Sequence, residues 1–235
     1  KALNKALPGL CIGIGLIVMG CLLSHGIITV KDRDRIVTVK GLAEREVKAD
    51  RVIWPLVFKE IGNDMTSIYN AVNKKNEIVC DFLKNNGIND NEISIAAPQI
   101  IDMRAERYAN NNEIPYRYNV TSVITVTSNQ IDKVRELISR QVDLLKQGVA
   151  IIDGDYRYTT QYSFTGLNDI KPEMIEEATV AARLAAEKFA KDSDSKLGKI
   201  RRANQGQFVI SNRDENTPYI KEVRVVTTID YYLKD

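Results

Sequence analysis

The chain has 235 residues, of which 44% are hydrophobic and 27% charged, and its formal net charge is +2. That composition is ordinary for a globular protein and excludes a disordered or collagen-like chain. The near balance of charge also argues against a nucleic-acid partner, because phosphate binding needs an excess of Lys and Arg on one surface.

The averages conceal an asymmetry at the N-terminus. Residues 1–30 carry Lys1 and Lys5, no acidic residue, 5 of the 13 glycines and 2 of the 3 cysteines. The remainder holds 31 basic and 31 acidic residues. A greasy segment thus precedes a charge-neutral globular part, which argues against a simple soluble cytosolic protein. Residues 6–23 are uncharged, and the uncharged run continues to Val30. As a helix, 18 residues would span about 27 Å, against a hydrocarbon core of roughly 30 Å. This predicts a single transmembrane helix in an anchor of residues 1–30, meeting the lipid bilayer through residues 6–30. Two other readings compete. A cleaved signal peptide fits Lys1 and Lys5, but the apolar run is too long for it and no Ala-x-Ala follows. A lipoprotein signal is suggested by Val18-Met19-Gly20-Cys21, which would make Cys21 the lipidated residue. Charge does not fix the orientation, since Lys1 and Lys5 lie on one side and Lys31, Arg33 and Arg35 on the other. Gly9 and Gly13, with Gly15 and Gly20, offer a small-residue surface for helix packing in a membrane. The plain alternative is that glycine is common in such helices.

Beyond Val30 the pattern changes to alternation. Val37, Val39, Gly41 and Ala43 alternate with Thr38, Lys40, Leu42 and Glu44, which predicts a strand. A second strand near 51–61 is apolar on both faces, so both faces are expected to be covered. Pro55 within it argues for an edge or a bulge. A helix follows at 65–86, with Met65, Ile68, Val72, Val79 and Leu83 at helical spacing, Asp64 as N-cap and Gly87 after its end. Strands near 92–106 and 116–127 flank the polar loop Asn110-Asn111-Asn112-Glu113. Val120, Ser122, Ile124 and Val126 form one face of the second. The spacing of Ile131, Val134, Ile138 and Leu145 predicts a helix over 130–146, closed by Gly148. A strand near 155–165 leads to Gly166, and an alanine-rich helix over 171–191 has Pro172 in its first turn. Strands near 199–210 and 221–233 close the chain, the latter alternating cleanly from Val223 to Leu233. The order is ββα ββα βα ββ. Short connections favour antiparallel pairing, so the expected class is α+β: mainly antiparallel sheets packed with three helices, preceded by the transmembrane helix.

Motifs for chemistry are scarce. His25 is the sole histidine and falls at the expected membrane boundary, so a Ser-His-Asp triad or a histidine metal site in the globular part is excluded. Cys80 lies beside Val79 and Leu83 and reads as a buried free thiol rather than a nucleophile. No P-loop, GxGxxG or CxxC occurs, and no cofactor, metal site or catalytic residue is expected. Glu44 and Glu46 share a strand face but are interspersed with Lys40, Arg45 and Lys48, as on a solvated surface. Glu176 and Glu177 point in different directions on a helix. Tyr156, Tyr158 and Tyr162 share a face of the strand near 155–165. The most pointed feature is the run from Gly198 to Gln207. There Lys199, Arg201 and Arg202 precede a polar stretch, and Lys221 and Arg224 are expected across a hairpin from them. These five form a candidate site for an anionic ligand or an acidic partner surface. The plain alternative is cross-strand pairing with Glu222 and Asp214.

The stretch from Arg35 to Asp50, RIVTVKGLAEREVKAD, resembles the opening strand pair of SIMPL-domain proteins. Phe164-Thr165-Gly166-Leu167-Asn168 before an alanine-rich helix, then Leu197-Gly198-Lys199-Ile200, extend the likeness over residues 35–233. The membrane-anchored bacterial branch of that family is the most similar. The resemblance implies an α+β fold, an extracytoplasmic location with the bulk of the chain outside the bacterial inner membrane, and assembly into large ring- or cage-like homo-oligomers. Some relatives are linked to envelope or oxidative stress. It supplies no catalytic residue to carry over. The expected function is therefore non-enzymatic: a membrane-anchored scaffold, compartment or pore-like assembly whose partner is itself. The alternatives are a binding module using the basic segment, and an enzyme using carboxylates and tyrosines.

Overall fold

The computed structural model describes residues 13–26, 35–105, 115–152 and 156–234. Its nine strands form two antiparallel-rich sheets, accompanied by five α-helices and two short 3-10 turns among the described residues. The α+β class expected from the alternation of patterns holds. The transmembrane helix expected ahead of it does not. Among the described residues no helix is long and apolar enough to cross a membrane. Helix α1 is described over residues 13–26, a rise of about 21 Å in which Ser24, His25 and Gly26 contribute little apolar length; residues 6–12 of the expected span lie outside the described residues. Gly9 lies outside the described residues. Around Gly13, Gly15 and Gly20 no atom comes within 4 Å of where a Cβ would stand, so no helix packs there among the described residues.

The chain divides into two compact units. The first comprises residues 1–45, 168–209 and 223–235, and the second 46–167 and 210–222. In the second, β2 (Arg51–Gly62) pairs antiparallel with β5 (Tyr118–Ser128) along its length, from Val52 opposite Ser128 to Gly62 opposite Tyr118. The short strands β3 (Ile93–Ile95) and β4 (Gln99–Asp102) flank the far side of β5, and β6 (Gln161–Ser163) pairs with Arg51–Ile53. The expected strand near 92–106 thus breaks in two at Pro98, which lacks a donor for the ladder. Pro55 is accommodated as its chemistry requires. The Val57 carbonyl accepts from Ile152 N at 2.7 Å, and strand alternation aims Pro55 at that same edge, beyond the reach of β6.

Trp54, Leu56 and Phe58 of β2 and Ile124 and Val126 of β5 are buried with Val79 and Leu83 of α2 (Met65–Asn85). Asp64 caps α2, accepting from Ser67 N at 2.7 Å, and Gly87 ends it with φ of +82°. The opposite face of β2 is covered in part, with Val57 buried and Ile53 and Pro55 half-buried. The helix expected over 130–146 is interrupted at Arg140 and Gln141, giving α3 (Ile131–Ser139) and α4 (Val142–Lys146). The break shifts the helical phase: Leu144 is fully buried, whereas Leu145, expected inside, is 59% exposed.

The first unit holds most of a sheet of strand order β1-β9-β7; β8 (Val209–Asn212), which belongs mainly to the second unit, also pairs with β9. β1 is Ile36–Lys48, β7 Lys196–Gln205 and β9 Ile220–Lys234. Helix α5 (Leu167–Asp192) covers one face of this sheet. It begins four residues earlier than the alanine pattern suggested, so Pro172 falls in its second turn. Its buried stripe is Met174, Ala178, Ala182, Ala186 and Ala190, a four-residue repeat of small side chains that lets helix and sheet approach closely. Gly41 of β1 completes the fit: a Cβ there would stand 1.8 Å from Ala178 O and 2.4 Å from Ala182 N.

Candidate functional site: the open edge of the first unit

The buried side of β1 is Val39, Gly41 and Ala43, under α5. Its other side presents Thr38, Lys40, Leu42 and Glu44, all exposed. Leu42 is 43% exposed and Ile36 37%. Among the described residues β1 pairs only with β9, so its second edge is free. The strand is 13 residues long and lacks proline, one of the residues that blunt an exposed edge.

The opposite edge is guarded. β7 meets β9 with register shifts between Leu197 and Ile200 and between Ile200 and Arg202, which are bulges. Gly198 permits the first, since a Cβ there would stand 2.7 Å from Tyr232 O. Lys199, Arg201 and Arg202 are exposed, and among the described residues no ion pair or hydrogen bond holds their side chains. Bulges and unpaired cations are the usual protections of a sheet edge.

The five basic residues singled out in the sequence do not converge. The β7 ladder on β9 ends at Gln205 opposite Thr227, so Arg224 and Lys221 lie beyond it. Arg224 Nε is 3.3 Å from Glu44 Oε1. Lys221 belongs to the second unit, is 7% exposed and donates to Asn212 Oδ1; burial pulls its pKa down. Neither takes the expected partners. Asp214 instead accepts from Arg213 Nε at 3.0 Å, from Thr217 Oγ1, and from the backbone N–H groups of Asn216 and Thr217, which together lower its carboxyl to about 2. Glu46 lies 3.4 Å from Arg213.

The other candidates for chemistry are dispersed or engaged. Arg45 spans Glu173 (2.8 Å) and Glu177 (2.5 Å), one helical turn apart on α5, and the two carboxylates raise its pKa. Cys80 is half-buried, and burial pushes its thiol up. Tyr156 and Tyr158 sit on a 3-10 turn rather than on a strand, with Tyr156 86% exposed, while Tyr162 is half-buried on β6. The loop at 110–113 lies outside the described residues. Among the described residues no group of three or more His, Cys, Asp or Glu could hold a metal ion.

Sequence reading missed two clefts of the second unit. One, of about 380 Å³, is lined by Lys48, Asn129, Asp132, Lys133, Arg135 and Tyr219. Two of its three bases are engaged: Arg135 stacks 3.5 Å from the Tyr219 ring centre and pairs with Asp132, and Lys133 donates to Gly87 O. The other, of about 450 Å³, lies between α2 and the β3–β4 strands. Its signal was the uncharged series Thr66, Tyr69, Asn73 and Asn76 on one side of α2.

The quoted motif residues serve the fold. Asp50, at the end of the β1–β2 turn, accepts from Thr165 N (2.8 Å), Thr165 Oγ1 (3.0 Å) and Gly166 N (2.9 Å). The KAD of the first stretch and the TG of the second are thus two halves of one latch. No curated protein matches the chain. A family model described as "SIMPL: Protein of unknown function (DUF541)" matches residues 37–228, from β1 into β9, and so takes in both the latch and the Gly41 contact with α5. The chain belongs to the SIMPL family.

Proposed function

We propose that this protein is a non-enzymatic SIMPL protein that acts outside the cytoplasm by assembling with copies of itself into a ring, cage or pore-like scaffold. The observation that carries the reading is the free edge of β1, a 13-residue strand with Ile36 and Leu42 exposed. The contrast with the bulged, charged β7 edge supports it, because a protein that guards one edge and leaves the longer one free has a use for the latter. The extracytoplasmic location rests on the resemblance of residues 35–50 and 164–200. Light scattering and single-particle imaging of the full chain in mild detergent test the assembly. A closed multi-subunit particle is expected, reduced to smaller species by Leu42→Asp. A monomeric wild type refutes the proposal.

A second reading draws on the unpaired cations Lys199, Arg201 and Arg202, which suit an anionic ligand or partner. Under it, charge reversal at Arg201 and Arg202 abolishes capture on an anionic matrix at low salt and leaves the particle mass unchanged. Unaltered capture removes this reading.

A further inference from the structure

The cleft of about 450 Å³ in the second unit falls in the roughly 300–1,000 Å³ range of small-molecule sites. Its floor is Ile68, Val72 and Val120, each at most 5% exposed. One wall is the apolar edge of Ile95, Ala96, Pro98 and Ile100. The other is the side of α2 carrying Thr66, Tyr69, Asn73 and Asn76. These four follow one another at spacings of three or four residues, so they form a line along the helix. None of the twelve residues around the cleft is charged, in a chain whose residues are 27% charged.

The polar wall is oriented as well as uncharged. Ser122, fully buried on β5, donates its hydroxyl to Asn76 Oδ1 at 2.9 Å. That bond fixes the amide and leaves Asn76 Nδ2 as a donor without a protein partner among the described residues. Asn73 has no hydrogen-bond partner there either. An amide donor beside an apolar floor calls for an oxygen acceptor on an otherwise apolar molecule. A carboxylate or ammonium entering such a cleft would lose hydration with no counter-charge to replace it.

We propose that the cleft between α2 and the β3–β4 edge binds a neutral amphiphile, an alkyl chain bearing a hydroxyl or carbonyl oxygen. The chain lies along Ile68, Val72 and Ile100, and the oxygen accepts from Asn76 Nδ2. The assignment is independent of the assembly proposed above, which concerns the first unit.

The test uses two photoreactive probes of equal length, a diazirine-bearing decanol and the corresponding decanoic acid. The full chain is kept in solution by a fluorinated surfactant, and labelled peptides are located by mass spectrometry. The alcohol is expected to label peptides spanning 65–76 and 95–100, and the acid at neutral pH to label them about tenfold less. Ala96→Trp, which fills the cleft from an exposed position, reduces labelling about tenfold. Asn76→Asp keeps an acceptor for Ser122, turns the donor into a charge, and reduces labelling by the alcohol at least threefold. Ile95→Trp serves as a second filling variant, 52% exposed in the wild type, should circular dichroism show Ala96→Trp unfolded. Equal labelling by acid and alcohol, labelling elsewhere, or labelling unchanged by both filling variants overturns the proposal. Labelling that disappears as protein concentration rises also overturns it, since a second copy would then occupy the cleft.

Discussion

Replacing Gly41 by alanine tests the packing of the first unit at its tightest point. An added Cβ would stand 1.8 Å from Ala178 O, 2.4 Å from Ala182 N and 2.9 Å from Ala182 Cβ. Two of these atoms are helix backbone and cannot swing away. To restore ordinary contact, α5 must retreat from β1 by about 1.5 Å. That withdrawal loosens the stripe from Met174 to Ala190, whose members are at most 2% exposed. Overpacking of this kind costs typically 1–3 kcal/mol, and backbone obstruction places Gly41→Ala near the top of the range. The lower entropy of the unfolded alanine chain returns about 0.4–1 kcal/mol, so the expected net loss is about 2–3 kcal/mol. Gly62→Ala is the control, because its Cβ meets only the Ile68 side chain, at 3.2 and 3.3 Å, and costs under about 1 kcal/mol. Denaturant unfolding followed by circular dichroism, with the slopes compared, gives the stabilities. Hydrogen exchange of the α5 amides locates the loss. Adding Ala182→Gly removes the methyl at 2.9 Å but not Ala178 O, so it does not rescue. A Gly41→Ala protein within about 0.5 kcal/mol of wild type, or one rescued by Ala182→Gly, would refute the close approach.

Other outcomes follow from single contacts. Asp50→Ala removes an acceptor from three donors of Thr165 and Gly166 and is expected to cost about 2 kcal/mol in denaturant titration; a change under 0.5 kcal/mol would deny the latch. Asp214, lowered to about 2 by Thr217 and Arg213, has a folded pKa below its unfolded one. Its contribution is therefore complete above the ordinary carboxylate value near 3.9 and is lost as pH falls toward about 2. Thermal midpoints recorded between pH 5 and 2 should show wild type converging on Asp214→Asn as acid is added, and parallel curves would contradict the assignment. Leu42→Asp, on an exposed position, should change stability by no more than about 0.5 kcal/mol while reducing particle mass; an unchanged mass would count against the β1 edge.

Where one physical signal dominated, the fold was legible. β1 and β9 each bury one face under α5, so alternation marked them correctly from Val37 to Ala43 and from Val223 to Tyr231. Helix α2 buries one stripe and carries its own stop signals, so Asp64 and Gly87 framed it to within a residue. Errors arose where a pattern averages over a break. A period of 3.6 drawn through Arg140 and Gln141 put Leu145 inside, because periodicity carries no record of a phase shift. Hydropathy counted residues 6–23 as one span, whereas no helix among the described residues is long and apolar enough to cross a membrane. The basic cluster failed for a related reason. Proximity in a hairpin depends on where the ladder ends, and the bulges of β7 shift its register against β9. The cleft of the second unit escaped notice because nothing local announces it: α2 and the β3–β4 edge are brought together by the sheet, and only the missing charge along Thr66–Asn76 hinted at it.

The matched motif residues turn out to be those with the least freedom to act chemically. Gly41 is needed for its missing side chain, and Asp50 accepts from three donors at the Thr165–Gly166 turn. Arg45 is held by two carboxylates of α5. A family recognised by such residues is recognised by its architecture, and its members can share the model while differing in what they bind. The residues with capacity to spare lie elsewhere: the outer side of β1, the cations of β7 and the amide wall of α2. This separation has a testable form. Gly41→Ala and Asp50→Ala should lower stability and affect assembly or probe labelling only to the extent that the protein unfolds. Leu42→Asp and Ile95→Trp should each alter one of those readouts at near-constant stability, Leu42→Asp the particle mass and Ile95→Trp the labelling by the alcohol. If substitutions of the motif residues abolished labelling in a protein that remained folded, the latch would have to be redrawn as part of a site.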